Sequence, residues 1–174
     1  MNRLIVIILL LSSIQLLHAQ KFMGHDGNIL FFSEAPMEDI SAVNNKVSAV
    51  FDASTNDLVF QLKISDFIFR KALMQEHFNE NYLESDIYPK STFSGKVIQN
   101  KNRKATVHGD LTIHGKTNKI KVDGVLIQNK KSVIMSAEFE VKLEDYNIKI
   151  PRIVMYKIAE EIEIKVNIEL KEVK

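Results

Sequence analysis

The amino-acid sequence predicts an all-β fold with one or two short helices, in which about eight antiparallel strands form a barrel. From about residue 91 onward, apolar and polar residues alternate with period two, as in strands that bury one face. Short turns such as Asn100-Lys101-Asn102 and Gly115-Lys116-Thr117-Asn118 separate these runs, so neighbouring strands are expected to pair antiparallel. A sheet of this size with one apolar face closes into a barrel or packs as a sandwich.

Each strand is predicted from its own alternating run. The clearest runs cover residues 107–113, 120–126, 133–143 and 162–170. In the first half, residues 47–51 and 58–64 flank the turn Ser54-Thr55-Asn56-Asp57 and predict a hairpin.

One segment, residues 70–83, has the periodicity of a helix. Met74, Phe78 and Tyr82 follow one another at steps of four, and Leu73 is expected to widen the same apolar face. Pro89 disfavours helix in the residue before it, so the helix should end in the preceding loop. A helix inserted between two strands is expected to cover one end of the barrel.

The N-terminus is typical of a secretory signal peptide. Arg3 precedes a nearly unbroken apolar run over residues 4–11, and cleavage is expected after Ala19. The run is shorter than the roughly 20 residues that a helix needs to span a bilayer, so no stable membrane span is predicted. Residues 20–174 then form one domain, located in the periplasm or secreted.

Composition narrows the partners and the chemistry. Without Arg3, 22 basic residues balance 22 acidic ones, a charge that does not favour nucleic acid. The chain has no cysteine, which excludes disulfides and thiolate metal sites. Stability must therefore come from core packing.

The histidines do not predict a metal site. His25, His77, His108 and His114 lack metal-ligand spacing. His108 and His114 are expected on one polar strand face, about 20 Å apart at ~3.3 Å per residue, too far to share an ion. His77 is expected at the edge of the buried helix face.

No catalytic site is predicted either. Nucleophilic catalysis needs a nucleophile, a base and an oxyanion site, and the sequence has no Gly-x-Ser-x-Gly turn. The paired acids Glu138 with Glu140 and Glu161 with Glu163 are expected on a solvated strand face. We therefore expect neither an enzyme nor a cofactor.

Two motifs resemble those of the YceI-like family. Gly109-Asp110-Leu111-Thr112-Ile113-His114-Gly115-Lys116-Thr117 is similar to the family's signature, and Tyr88-Pro89-Lys90-Ser91-Thr92-Phe93-Ser94-Gly95 is similar to its second landmark. Both occur in the expected order, and the resemblance extends from about residue 27 to residue 170. It implies an exported, lipocalin-like antiparallel barrel, and some members hold an isoprenoid-type lipid in an apolar tunnel.

The resemblance is weakest at the front of the chain. Family members commonly begin with a longer strand pair, whereas here residues 27–32 lead directly into Ala35-Pro36. A smaller or less closed barrel is the expectation.

The expected ligand is a lipophilic small molecule, isoprenoid-like or fatty. Phe67 and Phe69, the helix face and Phe93 should meet at one mouth of the barrel, where the ligand would pass. Tyr146 and Arg152 are candidates to hydrogen-bond a polar headgroup, and packing of the loop explains both residues equally well. Most of the apolar inward residues are expected to be core, and a minority to line a tunnel. The predicted ligand-binding residues are Phe60, Leu62, Phe67, Phe69, Leu73, Met74, Phe78, Phe93, Leu111, Met135, Phe139 and Tyr146.

Alternatives to a carrier remain open. A filled barrel would suit an interaction or structural module of the envelope, and a homodimer is compatible with either. A small outer-membrane barrel is the third reading, because alternation alone does not say which face points outward. The absence of tryptophan and of aromatic girdles argues against it.

Overall fold

Nine strands form one antiparallel sheet that closes on itself in the computed structural model, which describes residues 20–34, 39–150 and 159–173. The strands are β1 Lys21–Ser33, β2 Ile40–Asp52, β3 Asp57–Lys63, β4 Ile68–Phe69, β5 Lys90–Lys101, β6 Lys104–Ile113, β7 Lys116–Gln128, β8 Ser132–Lys142 and β9 Glu161–Glu172.

Eight of these strands make a closed ring, which confirms the predicted barrel. The order around the ring is β1, β9, β8, β7, β6, β5, β3 and β2, and β2 pairs back with β1. Strands β5 to β9 are neighbours in chain order; short turns join β5 to β8, whereas residues 143–160 connect β8 to β9. The two-residue strand β4 is not one of the eight ring strands. It pairs with β2 through Ala42 with Phe69 and Val43 with Ile68.

The front of the chain is longer and more fully paired than the sequence predicted. Strands β1 and β2 have 13 residues each, and β1 pairs with both β2 and β9, so the expectation of a less closed barrel is wrong. Two register shifts, around Gly24, Gly27 and Ile29, break the alternation in this hairpin. Interior positions also carry Gly24, Gly27 and the fully buried Asn44, so the apolar pattern is weak where the strand pair is long.

Two hairpin turns are tighter than the sequence suggested. Strands β5 and β6 are joined by Asn102 and Arg103, and β6 and β7 by His114 and Gly115. All four residues have positive φ, between 50° and 71°. Two residues with positive φ form the turn whose twist matches antiparallel strands, and the flanking residues can therefore pair as strand.

The predicted helix is confirmed, over a shorter span. Helix α1 covers Ala72–His77 and continues as a π-helical turn, Phe78–Tyr82, in which the Leu83 N–H donates to the Phe78 carbonyl. A 3₁₀ turn, Glu144–Tyr146, lies at the same end of the barrel. After residues 145–152 interrupt the alternation, the sequence also predicts a short helical piece that ends near Glu160, and this segment falls largely on residues 151–158, outside the described residues.

The interior contains two apolar clusters, one at each end of the barrel. The helix-end cluster includes Phe67, Phe69 and Leu83, and Met74, Phe78 and Tyr82 pack against it. The base cluster, at the opposite end, includes Phe22, Val133 and Leu170, each 0% exposed. Apolar residues thus face inward.

The predicted signal peptide, residues 1–19, lies outside the described residues. In the described part of the chain, no helix has the length and apolarity needed to cross a membrane.

Candidate functional site

The barrel encloses a cavity of about 240 Å³. It extends from Met74 and Phe78 at the helix end to Leu126 and Met135 in the base cluster. One water needs only about 10–15 Å³, so this space is far larger than a packing defect. Natural cores contain few voids larger than a water molecule.

The cavity wall is apolar. Most of its lining side chains are aliphatic or aromatic, and the few polar ones include Ser91. The Ser91 hydroxyl donates to the Thr112 carbonyl at 2.8 Å, so that group is already satisfied. Such a wall favours a ligand that is held by burial instead of by ion pairs.

Ten of the twelve predicted ligand-binding residues line this cavity. They come from strands β3 to β6 and β8, from α1 and from the π turn, which the fold brings around one space. These residues are Phe60, Leu62, Phe67, Phe69, Met74, Phe78, Phe93, Leu111, Met135 and Phe139.

Leu73 is placed differently from the prediction. Leu73 is 63% exposed and does not line the cavity. Successive helix residues are about 100° apart, so Met74, Phe78 and Tyr82 fix the inward face and turn Leu73 away from it.

Tyr146 also lies off the cavity wall. It is 3% exposed and belongs to the helix-end cluster, where burial raises the pKa of its phenol. A hydrogen bond with Asn118 partly opposes that shift in pKa. The structure thus places Tyr146 in the helix-end cluster, which fits the loop-packing explanation, and Arg152 lies outside the described residues.

Sequence reasoning missed part of the wall. Strands β1, β2 and β9 contribute Ile29, Phe31, Val47, Ile164 and Val166. The alternation in β9 already placed Ile164 and Val166 on one apolar face. Val47 lies in the alternating run of residues 47–51, whereas Ile29 and Phe31 had no comparable signal, because bulges interrupt the period in β1.

An aromatic cluster closes the helix end. Phe78, on the π turn, lies at the centre, with ring centroids 4.8 Å from Phe69, 5.5 Å from Phe67 and 6.0 Å from Phe31. Aromatic pairs at such distances attract each other beyond their area burial. The ring of Phe78 therefore anchors the helical segment over the cavity.

His114 is not on an open polar face, as the sequence predicted, but in the β6–β7 turn with its side chain 11% exposed. Its Nε2 lies 2.7 Å from Glu84 Oε2, and its Nδ1 lies 3.3 Å from the Tyr146 carbonyl oxygen. The ring also packs edge-on against Tyr88, with centroids 4.5 Å apart. We call His114, Glu84 and Tyr88 the clasp, because they join the loop after the helical segment to the barrel wall.

The acidic pairs lie on the outer face. Lys165 Nζ is 2.8 Å from Glu163 and 3.3 Å from Glu138, and Lys142 is 3.1 Å from Glu161. The hydrogen bond that Glu163 accepts from Lys165 lowers the pKa of the Glu163 carboxyl. Among the described residues, no group of three or more histidines and carboxylates is arranged to hold a metal ion.

A closed eight-stranded antiparallel barrel around an apolar cavity is a lipocalin-like architecture. The model of the YceI-like domain matches residues 20–170, and the chain belongs to that family. No curated protein matches the chain in sequence.

Solved structures share the fold at low sequence identity. BcnA of Burkholderia cenocepacia is 18% identical, with a TM-score of 0.73 over 82% of this chain and 95% of that chain. A polyisoprenoid binding domain from Saccharophagus degradans, implicated in plant cell wall breakdown, is 9% identical, with a TM-score of 0.76 over 89% and 99%. The Campylobacter jejuni YceI protein is 20% identical, with a TM-score of 0.67 over 81% and 90%.

Proposed function

We propose that this protein is an exported carrier, or sequestering protein, for a lipophilic molecule with an isoprenoid-like or fatty tail. The observation that carries the proposal is the apolar cavity of about 240 Å³ inside a closed barrel. The cavity is far larger than the few water-sized voids of natural cores, and its apolar wall offers water few hydrogen-bond partners, so an occupied cavity is the better account.

Burial alone is enough for useful affinity. A tail that buries ~400 Å² gains about 10 kcal/mol before costs, at ~25 cal/mol per Å². Association and ordering reduce this value, which leaves micromolar binding within reach. The protein would act by shape and burial, without a catalytic step.

The relatives support the same class of ligand. The Saccharophagus degradans domain is described as polyisoprenoid binding, and it shares the fold of this chain. An isoprenoid is a long apolar chain, which fits a wall made of aliphatic and aromatic side chains.

Export is the second part of the proposal. Residues 1–19 have the order of charge and apolar residues that a signal peptide needs. We expect the mature protein to begin at Gln20 and to lie in the periplasm or outside the cell. The intact mass of the protein recovered from the cell envelope tests this directly, because a retained leader would add the mass of 19 residues.

The decisive test is native mass spectrometry of protein purified from its own cell envelope without detergent, followed by solvent extraction. A stoichiometric adduct that extracts as a lipid supports the carrier and identifies the ligand. A bare polypeptide mass under several growth conditions would instead favour an interaction module that works without a ligand.

A matched pair of variants on one helix tests the site itself. Met74 lines the cavity, whereas the adjacent Leu73 is exposed. Met74→Asp should weaken uptake of a fluorescent prenyl probe, because the carboxylate would face apolar wall. Leu73→Asp should bind the probe like the wild type. Equal effects of both variants would contradict the proposed site.

A further inference from the structure

Along the cavity, the two apolar clusters meet at one pair of phenylalanine rings in the described part of the chain. Phe60 and Phe93 are direct cross-strand partners on β3 and β5, and both pack against the helix-end cluster and the base cluster. The part of the cavity beyond this pair, toward the base, reaches Leu126 and Met135. We call that part the lower chamber.

A glycine recess holds the Phe93 ring against the wall. Gly95 and Gly109 pair directly across β5 and β6. A Cβ atom at Gly95 would lie 2.7 Å from the tip of the Phe93 ring, and one at Gly109 would lie 2.5 Å from it. The same Cβ atoms would also lie against the carbonyl oxygens of His108 and Ser94, so any other residue at either position would displace the ring, the paired strands or both. Glycine thus keeps the passage to the lower chamber open.

Small side chains line the lower chamber. Ala105 on β6, Gly124 on β7 and Ala137 on β8 are consecutive cross-strand partners. Ala105 and Ala137 both line the cavity. At inward positions where other rows of the barrel carry valine, leucine or phenylalanine, this row leaves the space unfilled.

A packed floor closes the chamber at the base. Phe22, Val133 and Leu170 are 0% exposed, and none of them lines the cavity. Phe22 also stacks on Phe51, with ring centroids 6.5 Å apart. The cavity is therefore closed at the base, and a chain that enters from the helix end meets a fixed stop.

From these features we infer that the lower chamber sets the length of the apolar tail that the barrel accepts, with Ala137 and Met135 as the residues that determine it. The inference rests on the proposed function. On β8 the cavity wall extends from Val141 to Met135. The six residue steps between them span about 20 Å of strand at ~3.3 Å each, or roughly 15 Å along the axis of a barrel whose strands tilt by about 35–45°. A tail longer than this depth leaves its surplus carbons outside the wall.

Prenyl alcohols of two, three and four isoprene units test the inference. In the wild type, affinity should rise with length by roughly three- to fourfold per newly buried methylene, and stop rising when the tail reaches the floor. Ala137→Leu fills the lower chamber from its wall. The variant should lower, at least tenfold, the affinity for the longest alcohol that the wild type binds. The affinity for the shortest alcohol should change by no more than about twofold, since the upper part of the cavity is unchanged.

A variant with the opposite effect and a control make the test independent of folding defects. Met135→Ala deepens the chamber and should shift the best-bound alcohol to a longer one. Glu138→Leu adds the same side chain as Ala137→Leu one residue away, on the outer face, and should leave the length profile unchanged. Circular dichroism melting curves verify that each variant is folded.

The two proposals fail in different ways. If the wild type binds none of the alcohols, the proposed carrier function is overturned, and the length inference falls with it. If the wild type binds them but Ala137→Leu weakens short and long tails equally, or Met135→Ala leaves the preferred length unchanged, only the length inference is overturned.

Discussion

Removal of the clasp should loosen the helix end of the barrel, and the size of the effect can be worked from its contacts. In His114→Asn the side chain loses the 2.7 Å hydrogen bond to Glu84 and the ring contact with Tyr88. Asparagine suits the test because it tolerates the positive φ of 50° at this position. The backbone turn should therefore survive the substitution.

Two terms contribute to the expected loss of stability. A hydrogen bond to a charged group contributes about 1.5–3 kcal/mol, and we take the low end because the Glu84 side chain is 42% exposed. An aromatic contact adds about 0.5–1 kcal/mol. The free energy of unfolding should fall by about 2 kcal/mol, which lowers Tm by roughly 4–8 °C in a domain of this size.

Thermal unfolding followed by circular dichroism measures the global effect, and hydrogen exchange measures the local one. Exchange should accelerate at the amides of Ile87 and Tyr88, which donate to the Glu84 carbonyl in the loop that the clasp holds. His108→Asn is the control, because His108 is exposed on β6, the strand that leads into this turn. If both variants melt at the same temperature and exchange alike, the clasp does not hold this loop.

Three further substitutions test other parts of the structure. Gly115→Ala should lower the free energy of unfolding in urea by about 1–3 kcal/mol, because φ is 71° and the new Cβ would lie 2.5 Å from the Tyr88 ring. An unchanged urea midpoint would contradict the turn geometry described above. Phe22→Ala should cost about 3–5 kcal/mol, since it empties the floor of a fully buried side chain. A loss below 1 kcal/mol would show that the base is loosely packed. Ile87→Gln should stay within about 0.5 kcal/mol, because Ile87 is 66% exposed, and a larger loss would point to a contact that the fold does not show.

Sequence alone predicts the later strands well, because there the physical signals agree. In β6 to β9 the inward residues alternate strictly, and the turns that join β6 to β7 and β7 to β8 are too short for anything but antiparallel pairing. The first hairpin was misjudged since bulges reset the alternation and Asn44 occupies an inward position. Its side chain is satisfied there by the Lys63 carbonyl and the Lys46 N–H, partners that only the folded chain brings together.

The sequence predicted the apolar character of the candidate site but not the extent of its cavity. Large apolar residues on inward strand positions identify a core, and ten of those chosen do line the cavity. Whether a core is filled or hollow depends on the small residues opposite them, such as Ala137 and Gly109, which carry no periodic signal. The His114 clasp was missed for a related reason, because a two-residue turn rotates the side chain off the strand face that alternation predicts.

The base of the barrel contributes stability, and the helix end provides access to the cavity. The base cluster contains three apolar side chains with no exposure, Phe22, Val133 and Leu170, and the helix-end cluster contains one, Val47, whereas neither α1 nor the π turn contains a buried residue. Helix α1 has six residues and no side-chain cap at its N-terminus, so the barrel must hold it in place. That hold comes mainly from the rings around Phe78 and from the clasp behind Glu84. Opening this segment would uncover the cavity without disturbing the base, so ligand passage at the helix end is compatible with a stable barrel.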